Sequence, residues 1–372
     1  MMSKAISSKS IDASVVDLFC GAGGLSHGFS LEGITVAAGI DVDEDCRYAF
    51  EINNIAPFIP KDVSALEPDE LNEIFYPTRY RILVGCAPCQ PFSLYNQKND
   101  DPKWRLLDDF GTLIDGARPD VVSMENVPQL LKFRGGKLFD DFVCVLEGAG
   151  YNVTFGTLYG PDYGLAQTRS RLVLIASRLG WICLPEPTRG KDGYSTVADA
   201  IGSLPALEAG GADPHDPLHR CSRLSAVNLK RIKASRPGGT WREWPSELVS
   251  GCHTHDSGRG YAAVYGRMTW DEPSPTITTQ FYGFGNGRFG HPQQNRALSL
   301  REGAILQGFP KEYQFVEPGK RVQFKKLGRM IGNAVPVAFA RSIARTIAEH
   351  LREHARVSIS DPRLATSDPD QV

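Results

Sequence analysis

The chain contains no apolar run approaching the roughly 18 residues that a membrane-spanning helix needs. Its opening MMSKAISSKS lacks the apolar stretch of a signal peptide, so the expectation is a cytoplasmic protein with no membrane association. It also lacks a surplus of either charge. A formal net charge of -2 excludes a histone-like or tail-driven nucleic-acid binder but permits a local basic cleft. Cysteine is sparse: eight in 372 residues, scattered at 20, 46, 86, 89, 144, 183, 221 and 252, which suits reduced thiols rather than a disulfide scaffold. The first glycine cluster has no following lysine and hydroxyl residue, so it is not a phosphate loop, and its spacing is not the dinucleotide fingerprint.

What is present is globular. Hydrophobic residues make up 41% and charged residues 23%, in a chain long enough for a large core and two domains. Ala13 to Cys20 reads as a strand, Gly21-Ala22-Gly23-Gly24 as a tight turn, and Leu25 to Leu31 as the start of a helix. Strand, glycine turn and helix together begin a nucleotide-binding unit. A second strand, Ile34 to Ile40, ends at Asp41, a carboxylate placed either for ribose hydroxyls or as a helix cap. Asp62 is a further candidate, for an adenine amino group or again as a cap.

Arg81 to Ser93, RILVGCAPCQPFS, runs from a short buried strand into a turn stiffened by Pro91. That turn presents Cys89, either a nucleophile or a buried structural thiol. With Cys86 it also spells C-x-x-C, which admits a redox pair, although such a pair would leave the glycine and carboxylate motifs unexplained. Polar Tyr95 to Trp104 is a candidate lid, and Arg105 to Gly116 reads as a helix carrying Leu106 on its apolar face. Asp120 to Met124 is the next strand, ending in Glu125-Asn126-Val127, whose carboxylate can share a pocket with the thiol. In Gln167-Thr168-Arg169-Ser170-Arg171 the two arginines fall on one side of an extended segment.

From Cys183 to about Gln293 the α/β rhythm fades. Arg220 to Arg242 carries seven cations (Arg220, Arg223, Lys230, Arg231, Lys233, Arg236, Arg242) and no acid, a local phosphate-binding footprint. Cys252-His253-x-His255-Asp256 is too crowded for a structural zinc site, and its histidines are read instead as contacts to nucleic acid. Leu300 to Leu306 is a helix with Ser299 as cap and Glu302 three residues on. Gly332-Asn333 is a turn before the amphipathic helix Val337 to Arg352.

These pieces, in order, resemble the cytosine-C5 DNA methyltransferases of bacterial type. Asp17-Leu18-Phe19-x-Gly21-x-Gly23-Gly24 resembles the cofactor motif, Gly85 to Ser93 the Pro-Cys motif, Glu125-Asn126-Val127 the acid motif and Gln167-x-Arg169-x-Arg171 the arginine motif. Arg301-Glu302 through Leu306-Gln307-Gly308-Phe309-Pro310 and Gly332-Asn333-Ala334-Val335-Pro336 resemble the two late motifs. Two positions depart from the pattern: Met330, where the family usually has Gln, and Val42, where an aromatic often stands.

The resemblance implies an α/β fold: a Rossmann-like S-adenosylmethionine-dependent methyltransferase domain with a smaller inserted target-recognition domain. The expected boundaries are 12–182 for the first part of the catalytic domain, 183–293 for recognition, 294–353 for the returning motifs and 354–372 for a tail. The implied reaction is methylation of cytosine C5 at a short site in double-stranded DNA, by base flipping and a covalent Cys89 adduct; the alternative is the same chemistry on transfer RNA. Cys89, Glu125, Arg169 and Arg171 are implied as catalytic. Phe19, Gly21, Gly23, Asp41 and Val42, with Asp62, Val63, Pro88, Leu106 and Asn333, are implied to hold S-adenosyl-L-methionine. Gln90, Ser93, Gln167, Arg231, Lys233, Arg236, Thr278 and Thr279 are implied to meet the substrate. No metal is called for. A monomer working beside a restriction endonuclease completes the expectation.

Overall fold

The computed structural model describes residues 11–92, 101–255 and 260–360. Strands β1 (Ala13–Leu18), β2 (Thr35–Asp41), β3 (Phe58–Pro60), β4 (Tyr80–Gly85) and β5 (Val121–Asn126) are parallel. After them come β6 (Asn152–Tyr159), the two-residue β7 (Gln167–Thr168) and β8 (Ser170–Ser177), with β6 and β8 antiparallel to their neighbours. The sheet order is β3-β2-β1-β4-β5-β8-β6. Chain order reverses between β1 and β4, so a crevice opens beyond the carboxyl ends of those two strands.

Helices α1 (Gly24–Leu31), α2 (Arg47–Asn54), α3 (Pro68–Ile74), α4 (Leu106–Ala117) and α5 (Lys137–Gly148) alternate with the strands. The inserted region holds α6 (Val197–Ile201), α7 (Ala226–Ala234), α8 (Gly251–Thr254) and a short β9 (Ser274–Pro275) that pairs with β7. Returning to the sheet are α9 (Leu300–Leu306), α10 (Phe324–Asn333) and α11 (Val337–Ser360). Among the described residues no helix is long and apolar enough to cross a membrane.

The central strands are apolar without alternation because both faces are covered. Val15, Ile82 and Val84 pack with α1 and α11, whereas Val16, Leu18 and Leu83 pack with α3, α4 and α5. Gly28 lets α1 and α11 touch, since a Cβ there would lie 2.3 Å from that of Ala340. The far end of α11 is pinned to the sheet by His350 Nε2 at 2.8 Å from Ser177 Oγ and His354 Nδ1 at 3.0 Å from the Tyr80 hydroxyl. A separate small core gathers Ile232, Trp241 and Trp244, closed by Phe284 and Ala297. Val197, Ile201 and Leu218 pack instead into the main core.

α9 begins at its expected cap: Ser299 Oγ accepts from Glu302 N at 3.0 Å, and Glu302 Oε2 accepts from Ser299 N at 2.7 Å. One expected turn is corrected. Gly332 and Asn333 are the last residues of α10. Gly328 and Gly332, one helical turn apart, let that helix lie directly against the backbone of Thr278 and Thr279, so these glycines serve close approach rather than a break.

Candidate active site

Three neighbouring strand ends build the site. The β4–β5 register pairs Gly85 with Met124, which sets Cys86 beside Glu125 one step further on. Cys86 Sγ donates to Glu125 Oε2 at 3.0 Å, and Asn126 Nδ2 donates to the Ala87 carbonyl at 3.0 Å. The turn Cys86-Ala87-Pro88-Cys89 is thereby tied to the acid segment. From β8, Arg171 Nε lies 3.0 Å from Glu125 Oε1, yet off the hydrogen-bonding axis, so Oε1 has a charge beside it and no hydrogen bond. Glu125 is 2% exposed. A buried carboxylate oxygen that is ion-paired but not hydrogen-bonded retains capacity to accept from a further donor.

Cys89 is half-buried in the wall of the crevice. Burial pushes its thiol above the ordinary range, against the pull of the Arg171 guanidinium, while the Glu125 charge adds to the rise. In the free protein this sulfur therefore carries its proton at neutral pH. Arg169 does not reach into open space as expected of a residue that orients a base. It is 4% exposed, and its guanidinium donates to the carbonyls of Ile277 at 3.1 Å and Gly332 at 3.5 Å. Burial, and then the neighbouring Arg171 charge, lower it to about 9, so it stays cationic at neutral pH.

Beside the thiol lies a cleft of about 440 Å³ whose wall includes Phe19, Gly21, Asp41, Val42, Pro88 and Asn333. It adjoins a second hollow of about 480 Å³ that shares Phe19, Asp41, Val42 and Pro88 and adds Asp62, Val63 and Leu106. Such volumes suit a small-molecule cofactor. Phe19 turns the chain out of β1 in a left-handed conformation with φ 58°, uncommon for a non-glycine residue. Asp41 Oδ2 accepts from Gly21 N at 2.9 Å and Oδ1 from Asp43 N at 2.8 Å, and burial raises its carboxyl above the usual range. Val42 is 64% exposed although apolar. Gly23 departs from expectation by facing the core: a Cβ there would meet Asn54 Nδ2 at 2.3 Å, and the residue does not line the cleft.

Several residues expected at the substrate are held elsewhere. Gln167 is fully buried, donating to the Leu306 carbonyl at 2.9 Å and to Gln307 Oε1 at 3.0 Å while accepting from Ile277 N at 2.9 Å. It braces the arginine segment against α9. Arg231 donates to the Leu248 carbonyl at 2.8 Å and lies over the rings of Trp244 and Tyr265 inside the small core. Arg236 pairs with Glu243 at 2.6 Å, an acid one residue beyond the basic run. His253 stacks on Trp241 with centroids 4.3 Å apart and is buried. Lys233 and Thr278 are exposed, Thr279 is partly so, and Gln90 lines the cleft. Ser93, and residues 95–100 of the candidate lid Tyr95 to Trp104, lie outside the described residues.

Two residues of the site fall within the quoted motifs but were not singled out as site residues. Asp17 is buried at the end of β1, where Oδ2 accepts from Ser26 N and Oγ at 3.1 and 2.6 Å. Its Oδ1 has no hydrogen bond, the residue lines the cleft, and burial raises it to about 7. An acid inside an apolar strand just ahead of the glycines was the available signal. Cys86 is the second; its place opposite Glu125 depends on strand register, which no local pattern displays.

A profile of C-5 cytosine-specific DNA methylases matches residues 13–349. The chain is 52% identical over 330 residues to the type II methylase M.HgiDII of Herpetosiphon aurantiacus, covering 88% of this chain and 93% of that one. It is 30% identical over 339 residues to the type II methyltransferase M1.HphI of Haemophilus parahaemolyticus, covering 88% and 84%. Among solved structures, a DNA modification methyltransferase encoded within an E. coli prophage superposes with a TM-score of 0.71 at 21% identity, over 91% of this chain and 99% of that one. The Dnmt2 methyltransferase of S. pombe superposes with a TM-score of 0.57 at 18% identity, over 91% and 98%. At such identities the superpositions speak for the fold.

Proposed function

Because the chain belongs to the C-5 cytosine-specific DNA methylase family, and so transfers a methyl group from S-adenosylmethionine to cytosine C5 in DNA, we propose that it does this through Cys89 at a short specific duplex site. The observation that carries the assignment is Cys89 in the wall of the crevice with the unbonded Oε1 of Glu125 close by.

Cytosine C5 is a poor nucleophile until a nucleophile adds at C6. The Cys89 thiolate makes that addition, which places electron density at C5. Loss of the C5 proton after methylation then expels the sulfur. Because burial raises its proton affinity, the Cys89 thiol gives up its proton as it adds to C6. Glu125 Oε1 meets N3 and the exocyclic amine and stabilises the charge that grows there. Arg171, rather than Arg169, is the guanidinium beside that carboxylate and takes the ring carbonyl O2; Arg169 holds the Ile277 and Gly332 carbonyls that shape the wall. None of these groups can reach a stacked base, so the cytosine is flipped out, at a cost of a few kcal/mol.

The cleft suits the methyl donor. Phe19 and the exposed Val42 offer an apolar wall for adenine, and Asp41 retains lone pairs for ribose hydroxyls. Asp17, with its unbonded buried oxygen, suits the cationic amino group of the methionine part. S-adenosylmethionine supplies, when bound, a methyl group already activated by its sulfonium.

Residues 183–293 are read as the recognition domain, with exposed Lys230, Lys233 and Thr278 toward DNA. The type II relatives favour pairing with a restriction endonuclease, and the expected setting is a cytoplasmic monomer. The test is methylation of randomised duplex DNA followed by base-resolution readout, with transfer RNA in parallel. Methylcytosine within one short duplex motif is the expected result. Modification of the RNA alone would overturn the substrate.

A further inference from the structure

We propose that Cys86 is a positioning residue for methyl transfer: its thiol holds Oε2 of Glu125 and so leaves Oε1 as the oxygen offered to the base. The inference rests on the mechanism proposed above and deepens it. Cys86 follows β4 directly, its N–H donating to the Leu18 carbonyl at 3.4 Å, and register places it against Glu125 on the adjacent strand. Its Sγ lies 3.0 Å from Oε2, while Oε1 makes no hydrogen bond. The carboxylate is thus divided between an oxygen held by the Cys86 thiol and an oxygen that has only the charge of Arg171 beside it, at 3.0 Å, and no hydrogen bond.

For the division to persist, Cys86 must remain a thiol. Every charge near it bears on this. Burial is the largest influence and disfavours the thiolate, Glu125 and Cys89 oppose a second negative charge, and only Arg171 pulls the other way. Cys86 is therefore a neutral donor, unsuited to compete with Cys89 for the base. The same turn is tied a second time by the Asn126 amide to the Ala87 carbonyl, so loss of the thiol contact leaves the backbone path in place. What is lost is the orientation of one carboxylate.

A positioning role predicts that rate follows the donor and not the volume. In single-turnover methylation of duplex DNA at saturating S-adenosylmethionine, Cys86→Ala and Cys86→Val should each slow methyl transfer about tenfold, the scale of one charge-assisted hydrogen bond. Cys86→Ser, which keeps a donor, should stay within about threefold of the parent. Dissociation constants for cofactor and DNA should stay within about twofold in all three, because the contact orients an acid and binds neither ligand. Parent rates in the Ala or Val variants would overturn the proposal. So would a Ser variant as slow as Ala, or a loss traced to cofactor binding or to melting, since each points to packing. Cys89→Ala is run alongside: turnover by that variant would overturn the underlying mechanism, whereas its inactivity with parent-like Cys86 variants would overturn the role of Cys86 alone.

Discussion

At the scale of single residues the site sets a thiol whose proton affinity burial has raised beside a carboxylate with one oxygen that is ion-paired to Arg171 but not hydrogen-bonded. If Cys89 forms the bond to C6, Cys89→Ala should lower methyl transfer by at least about a thousandfold while leaving cofactor affinity within a few-fold, read by single turnover and by calorimetry. Asp17 gives a sharper test, because its carboxyl is held up to about 7 by burial while facing the cofactor cleft. A cationic amino group brought to Oδ1 favours the ionised form, so binding releases a proton and affinity rises as pH climbs through about 7. Asp17→Asn should weaken S-adenosylmethionine binding about tenfold at pH 8 and abolish that pH dependence; calorimetry in buffers of different ionisation enthalpy measures both. Cys89, Glu125 and Asp41 were legible in the sequence because each stands at the end of an apolar strand, where chemistry is presented. Gln167, Arg231 and Arg236, expected at the substrate, each have a partner within the protein that the sequence did not show, because a polar side chain spelled out in a chain does not name its partner. Their partners, Leu306, Leu248 and Glu243, appear only once the chain is folded.

Among the elements, α10 walls one side of the cleft, since Met330 and Asn333 on it line it. Two devices hold it. Lys326 and Arg329 pair with Asp45 and Asp43 at 2.9 and 2.6 Å across the cleft mouth, partly exposed contacts worth little individually. Gly328 and Gly332 lay the helix on the backbone of the Thr278–Thr279 segment. A Cβ at Gly332 would stand 2.5 Å from the Thr278 carbonyl carbon and oxygen, which are backbone atoms unable to turn aside. Gly332→Ala should therefore cost about 1–3 kcal/mol in urea unfolding and weaken cofactor binding as the helix shifts. Gly148→Ala, at the end of α5 with nothing near the added carbon, should stay within about 0.5 kcal/mol of the parent. The contrast separates close approach from helix propensity. α9 was legible before folding because Ser299 and Glu302 carry a capping box in their spacing. α10 was not, because glycine reads locally as a breaker and its packing partner, Thr278–Thr279, lies far away in sequence.

Over the whole molecule, the last helix returns to complete the first sheet, and an inserted segment with its own aromatic core stands between. The α/β rhythm and its loss after Cys183 made that outline legible. Which core would claim Val197 and Leu218 depended on tertiary packing and was not. The return also buries histidines, and with them a dependence on pH. Burial lowers the proton affinity of His27, His291, His350 and His354 in the fold. His291 is the extreme: 1% exposed, among Glu302, Arg296, Arg267 and His219, it falls from 6.5 to about 4. A group whose folded affinity is depressed leaves the unfolded chain binding more protons between those values. Its contribution is full above pH 6.5 and is lost as pH falls toward about 4. At about 1.4 kcal/mol per pH unit, His291 alone should remove about 2 kcal/mol by pH 5. Asp17 acts in the opposite sense, its contribution declining as pH rises from 3.8 to about 7, so the net curve of the parent does not isolate the histidine. His291→Asn does. Nδ1 of His291 accepts from the backbone N–H groups of Gln293 and Gln294 at 3.1 and 2.9 Å, an acceptor role that an amide oxygen can fill without titrating. Urea unfolding of parent and variant at pH 7.5 and pH 5 should show the parent losing about 2 kcal/mol more than the variant between the two conditions. Equal losses would mean that His291 takes its proton within the fold.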